Sequence, residues 1–82
     1  MSYEKVSNAK NVVVGKKQTL QALKKGIINE VVVAEDADYH LVHNVAEFAS
    51  QLNIPVSKVD SMKQLGKACG IQVGASAVGI VS

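Results

Sequence analysis

Apolar residues along this chain form runs of two kinds, which alternate from one end to the other. In the first kind three valines stand together, as in Val12–Val14 and within Glu30–Ala34, a pattern that favours strands buried on both faces. In the second kind apolar residues recur at steps of three and four, most clearly over 38–52, where Leu41 and Val45 share one side of a helix. The pattern predicts helices at Tyr3–Lys10, Lys16–Lys25, 38–52 and 62–69, and strands at Val12–Val14, Glu30–Ala34, Ile54–Ser57 and Ala75–Val81.

Glycine and short polar residues mark where these elements begin and end. Gly15 separates the first strand from the second helix, and Gly26 follows that helix in a typical stop position. Either Asp36 or Asp38 can cap the third helix, and Ser61 begins a capping box ahead of the fourth. The alternating order of helices and strands therefore predicts an α/β fold, with a four-stranded sheet covered by helices on both faces.

Composition adds the size and setting of this fold. An apolar share of 48% and a single proline indicate one compact domain over residues 1–82. Cys69 is the only cysteine, which excludes an internal disulfide and fits a reducing compartment. The first ten residues, MSYEKVSNAK, carry charges where a secretory signal needs an apolar stretch, and no run reaches the roughly 20 apolar residues of a membrane span. We expect a cytoplasmic protein with no membrane partner.

Charge is unevenly distributed, although the formal net charge is only +2. Residues 1–25 hold six lysines against Glu4, residues 26–57 hold five acids and no lysine, and the remainder holds three lysines against Asp60. If the first and last thirds meet in space, the molecule has one basic and one acidic face. A solvated surface without a function explains the same charges, and the charge map alone leaves both interpretations open.

The strand-glycine-helix order at Gly15 predicts a site for an anion. The first N–H groups of the helix that begins at Lys16 have no partner within the helix, and Lys16 and Lys17 lie beside them. A nucleotide-binding P-loop is excluded, because Lys10 stands where that motif needs glycine and Lys17 where it needs serine or threonine.

Other catalytic and metal-binding patterns are incomplete. Ser76 lies in a partial nucleophile elbow, but Val78 replaces its final glycine, which favours an ordinary strand serine. His40 and His43 could share a helix face, yet no third ligand of a good type is close in sequence, which favours two exposed histidines. Cys69 has the helical spacing of a buried apolar residue rather than of a reactive thiol. We therefore expect no enzyme activity, no metal and no cofactor.

Aromatic residues are too few for a base-stacking platform. The chain contains only Tyr3, Tyr39 and Phe48, and the last of these lies on the apolar side of its helix. A nucleic-acid ligand would therefore be recognised by its shape, its backbone and a few base-edge contacts.

Several longer motifs, in order, resemble the L-seven-Ae family of ribosomal proteins, and the small bacterial members in particular. They are Gly15–Gly26 (GKKQTLQALKKG), Glu30–Ala34 (EVVVA), Ile54–Val56 (IPV), Leu65–Gly70 (LGKACG) and the pair Ala77–Val78. The resemblance extends over essentially the whole chain. It implies a three-layer α/β/α sandwich that binds the kink-turn, a sharply bent RNA with a three-nucleotide bulge beside tandem sheared G·A pairs.

The same resemblance implies two contact segments. The start of the second helix would enter the RNA major groove, and the loop before the last strand would contact the bulge nucleotides. The first segment comprises Gly15, Lys16, Lys17, Gln18 and Gln21, and the second comprises Ile71, Gln72 and Val73. In the loop sequence GIQVG the apolar side chains would pack against unstacked bases, and the glycines would permit close approach. The alternative is that Ile71 and Val73 belong to the core.

One departure from the family pattern affects base recognition. Many members carry Asn-Glu where this chain has Lys17-Gln18, and lysine where it has Gln21. Glutamate only accepts hydrogen bonds from a guanine edge, whereas Gln18 both donates and accepts, so the base that it contacts stays open. The implied function is a non-enzymatic protein that binds kink-turn RNA, with the ribosome as a further partner. The alternative is a ribosome-associated or protein-interaction module of the same fold without kink-turn specificity.

Overall fold

Four helices and four strands alternate along residues 2–81 in the predicted order. The computed structural model describes residues 2–81. The elements are α1 (Ser2–Asn8), β1 (Asn11–Val14), α2 (Lys16–Lys25), β2 (Ile28–Ala34), α3 (Tyr39–Gln51), β3 (Val56–Val59), α4 (Met62–Ala68) and β4 (Ala77–Val81). The bounds of α2 are those predicted.

Two strands begin two residues later than predicted. The Pro55 carbonyl accepts a hydrogen bond from the Val31 N–H at 2.9 Å, but proline has no N–H to return, so regular pairing of β3 begins at Val56. Before β4, the Ala75 N–H donates to the Met62 carbonyl of α4 at 3.0 Å. The Ala75 N–H is therefore hydrogen-bonded to a helix instead of to a neighbouring strand, and β4 begins only at Ala77.

The strands form one mixed sheet in the order β1-β4-β2-β3. β4 lies between β1 and β2 and is antiparallel to both, whereas β2 and β3 are parallel. The strands β1, β2 and β3 consequently run in the same direction, and the helices α2, α3 and α4 that follow them all begin at one end of the sheet.

Helices cover both faces of the sheet, as the sequence predicts. α2 packs against α3, and α1 packs against α4. In β2, Val31 and Val33 join the core on the α2–α3 side, whereas Val32 and Ala34 join the core on the α1–α4 side. All four are buried, which explains why this strand is uniformly apolar rather than alternating. The predicted three-layer α/β/α sandwich is confirmed.

Acidic and hydroxyl side chains cap two of the three helices that start at this end. Asp38 accepts a hydrogen bond from the His40 N–H at 2.9 Å and caps α3. Asp36 instead accepts from the Met62 N–H at 2.8 Å, in the first turn of α4. Ser61 caps α4 as predicted, accepting from the N–H three residues further on at 3.2 Å. Of the two candidate caps for α3, Asp38 is therefore the one used.

A tyrosine joins α1 to the start of α4. The Tyr3 hydroxyl donates a hydrogen bond to the Asp60 carboxylate and accepts one from the Ser61 N–H at 3.1 Å. The bond to Asp60 raises the pKa of Tyr3, because ionisation would remove the donated proton. This contact joins α1 to the short connection between β3 and α4.

Candidate nucleic-acid interface

The start of α2 is fixed by a glycine in a conformation that few other residues adopt. Gly15 has φ 104° and ψ 153°, which puts a Cβ-bearing residue under strain. The Gly15 N–H donates to the Ala77 carbonyl of β4 at 2.8 Å, and the Gly15 carbonyl accepts from the Thr19 N–H at 2.9 Å. One residue thus ends β1, begins α2 and ties both to the first residue of β4.

The start of α2 differs from those of α3 and α4 in having no side-chain cap. Its N-cap is Gly15, and its first turn contains no acidic residue. Lys16 and Lys17 occupy that turn; Lys17 is exposed and Lys16 is half-buried. Backbone N–H groups, the positive end of the helix dipole and two ammonium groups therefore coincide at this point, which suits an anion such as a phosphate.

The loop over 69–76 runs back along α4 towards the end of the sheet where α2 begins. The Ile71 N–H donates to the Gly66 carbonyl at 3.1 Å, and the Ala75 N–H bonds to Met62, one turn nearer the start of the helix. The loop then enters β4 at Ala77, the residue that bonds to Gly15. The start of α2 and the end of this loop, distant in sequence, thus lie at the same end of the sheet.

Gly66 allows the loop to lie directly on α4. A Cβ at this buried position would be 2.0 Å from the Val73 carbonyl oxygen, far inside van der Waals contact. Gly66 was not among the contact residues predicted from the sequence. The available signal was a glycine inside a helix, which costs about 1 kcal/mol relative to alanine and usually has a packing reason.

The predicted contact residues differ in exposure. Five of the eight are exposed, namely Lys17, Gln18, Gln21, Gln72 and Val73, and the other three are half-buried, namely Gly15, Lys16 and Ile71. Ile71 packs against the α1–α4 core, whereas Val73 is 71% exposed. The alternative that both residues belong to the core therefore holds in part for Ile71 and does not hold for Val73.

The predicted basic face is incomplete. The first and last thirds of the chain do meet, because β1 pairs with β4. However, Lys5 forms an ion pair with Glu30 at 3.2 Å, and Lys58 lies on β3, at the opposite edge of the sheet from β1. Positive charge at the candidate interface therefore comes from Lys16 and Lys17 on α2 and from the exposed Lys63 and Lys67 on α4.

The residues considered for catalysis and metal binding have ordinary structural surroundings. The Ser76 carbonyl accepts the Ala34 N–H at 2.9 Å at the end of the sheet. His43 is bonded through Nδ1 to the Tyr39 hydroxyl at 3.0 Å and through Nε2 to Glu47 at 2.9 Å. Over residues 2–81 no three His, Cys, Asp or Glu side chains are grouped to hold a metal ion. Within the same range no helix is long and apolar enough to span a membrane.

The reactivity of the Cys69 thiol tests the prediction that this residue packs in the core and is not a reactive group. Cys69 is half-buried and packs against the α1–α4 core, and this burial raises its pKa. Because the thiolate is the reactive form, we expect Cys69 to react with iodoacetamide at pH 8 several-fold more slowly than free cysteine, roughly 3- to 10-fold. Unfolding in urea should abolish the difference. A rate in the folded protein equal to that of free cysteine would contradict the assignment.

The geometry defines a class of protein: a small α/β/α sandwich that presents an uncapped, lysine-bearing helix start beside a loop fixed on a glycine. Solved structures share this fold. A Giardia lamblia 15.5kD RNA binding protein superposes with a TM-score of 0.87 at 21% identity, covering 98% of this chain and 68% of that chain. A protein with unknown function from Bacillus halodurans C superposes with a TM-score of 0.84 at 22% identity, covering 98% and 80%.

The family model for the ribosomal protein L7Ae/L30e/S12e/Gadd45 family matches residues 2–82. The chain belongs to this family, as its motifs predict. Two relatives from Geobacillus are the RNA-binding protein YbxF of G. stearothermophilus, 59% identical, and an RNA-binding protein of strain WCH70, 62% identical, each match covering 99% of both chains. An RNA-binding protein of Staphylococcus aureus strain JH9 is 43% identical over 99% of both chains.

Proposed function

We propose that this protein is a non-enzymatic RNA-binding protein that recognises kink-turn RNA and stabilises its bent form. The observation that carries the proposal is the uncapped start of α2, held beside the loop over 69–76 by the hydrogen bond between Gly15 and Ala77. Membership of a ribosomal protein family and relatives named as RNA-binding proteins support it. A ribosomal RNA is one source of such a kink-turn, and a cytoplasmic location accords with the composition.

The start of α2 would supply both backbone and base contacts. Its free N–H groups and Lys16 suit phosphate oxygens, which position the protein on the RNA. Lys17 can donate to phosphate or to guanine O6 and N7. Gln18 and Gln21 lie three residues apart on an exposed helix face, and each amide can both donate to and accept from a base edge. This segment would enter the major groove at the sheared G·A pairs, which the bend widens.

The loop would contact bases that have left the stack. Val73 is 71% exposed and offers an apolar surface to an unstacked base of the bulge. Gln72 is exposed beside it and can bond to a base edge or to the backbone. The Ile71 side chain is half-buried: its exposed atoms can contact a base, and its buried atoms pack against the α1–α4 core. The backbone bonds to α4 hold these groups in place before RNA arrives, so that little ordering cost arises on binding.

Stabilisation of the bend needs no chemical step. Free kink-turn RNA interconverts between open and bent forms, and a protein that binds the bent form more tightly shifts the population towards it. No cofactor is required for this action.

The proposal is tested by titrating the protein with a short kink-turn RNA and with a control in which the sheared G·A pairs are replaced by Watson–Crick pairs. We expect at least about 100-fold tighter binding to the kink-turn, since several base contacts of about 1–3 kcal/mol each are lost in the control. Affinity should fall steeply with added salt, in proportion to the phosphates neutralised. Equal binding to both RNAs would contradict kink-turn specificity and would favour the protein-interaction alternative.

A second experiment addresses the contact residues. Lys17→Ala and Gln18→Ala should each weaken kink-turn binding by about 1–3 kcal/mol if they contact base edges. The matched control is Lys24→Ala, in the last turn of the same helix, which should act through charge alone and lose its effect at high salt. Equal small losses in Lys17→Ala and Lys24→Ala, with no loss in Gln18→Ala, would show that α2 provides only a diffuse positive field.

A further inference from the structure

A concave surface lies between α3 and the strands β2 and β3. It has a volume of about 390 Å³. Its walls are mainly apolar and come from Val33, Ala34, Ala37, Val42 and Ala46, and its polar lining residues are Glu35, Tyr39, His43 and Lys58. The proposed RNA contacts do not use this pocket.

An exposed aromatic ring at this pocket is held in a fixed orientation. Tyr39 is 64% exposed, yet its ring stacks on His43 with centroids 5.0 Å apart and planes 26° from parallel. The Tyr39 hydroxyl bonds to His43 Nδ1 at 3.0 Å, and His43 Nε2 bonds to Glu47 at 2.9 Å. A ring that is already oriented loses little conformational entropy when a partner packs on it.

The charge around the pocket is mainly negative. Glu35 lines it, Asp38 caps α3 next to Tyr39, and Glu47 bonds to His43 on the same helix, whereas Lys58 is the one lysine in the lining. Among residues 2–81 the one ion pair between a lysine and a carboxylate is Lys5–Glu30, so the Glu35 carboxylate has no lysine partner in this part of the chain. The surroundings favour a cation and disfavour a phosphate.

We propose that this pocket receives an arginine side chain from a basic segment of a partner protein. The aliphatic stem of arginine suits the apolar walls, and its planar guanidinium can lie on the Tyr39 ring and bond in bidentate fashion to Glu35. Lysine has the same charge but lacks the planar, forked donor group that these two partners require together.

This inference does not rest on the proposed RNA function. The pocket lies at β2 and β3, whereas Gly15 follows β1; two to three strand spacings, about 10–14 Å, separate them. A protein that binds RNA along α2 could therefore carry a basic partner on α3 at the same time, and each surface can fail its test without the other.

The test is an NMR titration of the ¹⁵N-labelled full chain with three probe peptides, acetyl-GRGRG-amide and its lysine and glutamate analogues. The arginine peptide should shift the amide signals of Tyr39, Val42 and Ala46 saturably. The lysine peptide should bind about 3- to 5-fold more weakly, since it cannot stack and bond to a carboxylate at once, and the glutamate peptide should leave these signals unchanged. Equal binding of the lysine and arginine peptides, or no shift at these residues, would overturn the proposal.

Three substitutions separate a specific pocket from general charge attraction. Tyr39→Ala and Glu35→Gln should each weaken binding of the arginine peptide by about fivefold, and Lys58→Ala should strengthen it by about twofold. The matched control is Glu4→Gln on α1, an exposed acid on the other face of the sheet, which should have no effect. Equal losses of arginine-peptide affinity in Glu35→Gln and Glu4→Gln would overturn the proposal. A shift of the Tyr39, Val42 and Ala46 amide signals on addition of kink-turn RNA would also overturn it.

Discussion

Substitution of Gly66 by alanine is expected to lower the free energy of unfolding by about 2–3 kcal/mol, the upper part of the range for overpacked sites. The new Cβ would lie 2.0 Å from the Val73 carbonyl oxygen and 3.2 Å from the Gly74 Cα. Both are backbone atoms, so the loop itself must move to accommodate the methyl group. Alanine is the better helix former by about 1 kcal/mol, so a net loss of stability would isolate the steric effect.

Urea unfolding of two control variants completes this test. Lys67→Ala changes the next residue, which is exposed, and should alter stability by no more than about 0.5 kcal/mol. Gly79→Ala places a Cβ 2.6 Å from Ile28 Cδ1, the movable end of a side chain, and should cost less than Gly66→Ala. A Gly66→Ala variant as stable as the parent would show that the loop does not depend on contact with α4.

The same substitution probes the proposed RNA contact. If Val73 and Gln72 contact the bulge, then displacement of the loop should weaken kink-turn binding by about 10-fold or more, as expected when one base contact is lost. Kink-turn binding by Gly66→Ala should be measured at a temperature at which circular dichroism shows that the variant is folded. Unchanged affinity together with a displaced loop would remove the loop from the proposed interface and leave α2 in place.

Substitution of Leu65 by alanine is expected to cost about 2–5 kcal/mol of stability. Leu65 is fully buried and belongs to the core between the sheet and the helices α1 and α4. A domain of 82 residues has a total stability of about 4–12 kcal/mol, so this one truncation removes a large part of it.

Thermal and urea unfolding measure this effect against a matched leucine. Leu41 lies on α3 and is 43% exposed, so Leu41→Ala removes the same atoms with less loss of buried area and should cost under about 1 kcal/mol. The two variants should therefore differ by at least 1 kcal/mol. Equal losses would mean that the α1–α4 core is looser than its burial indicates.

The local elements of this protein were predictable from its sequence. The second helix occupies Lys16–Lys25 as predicted, and Ser61 caps the fourth. The three consecutive valines of β2 correctly indicated a strand buried on both faces. The signals for these features lie within one helical turn or one strand, so the neighbouring sequence suffices to predict them.

Features that depend on residues far apart in the chain were decided by the tertiary structure. The choice between Asp36 and Asp38 followed from the position of α4, which takes Asp36 as an acceptor. The different exposures of Ile71 and Val73 follow from the path of the loop over Gly66, and the separation of Lys58 from the other lysines follows from strand order. The pocket beside Tyr39 likewise requires that α3 lie across β2 and β3.

One physical reason separates the features that the sequence predicts from those that the tertiary structure decides. Capping and periodicity are short-range effects whose energies are set by neighbours in sequence, whereas exposure, charge grouping and concave shape arise only when strands pair and helices pack. The sequence therefore determined which segments become helices and strands and which family the chain resembles. Pairing of β1 with β4 determined that Gly15 bonds to Ala77, the residue that follows the loop over 69–76, and with this contact the surface that we propose binds RNA.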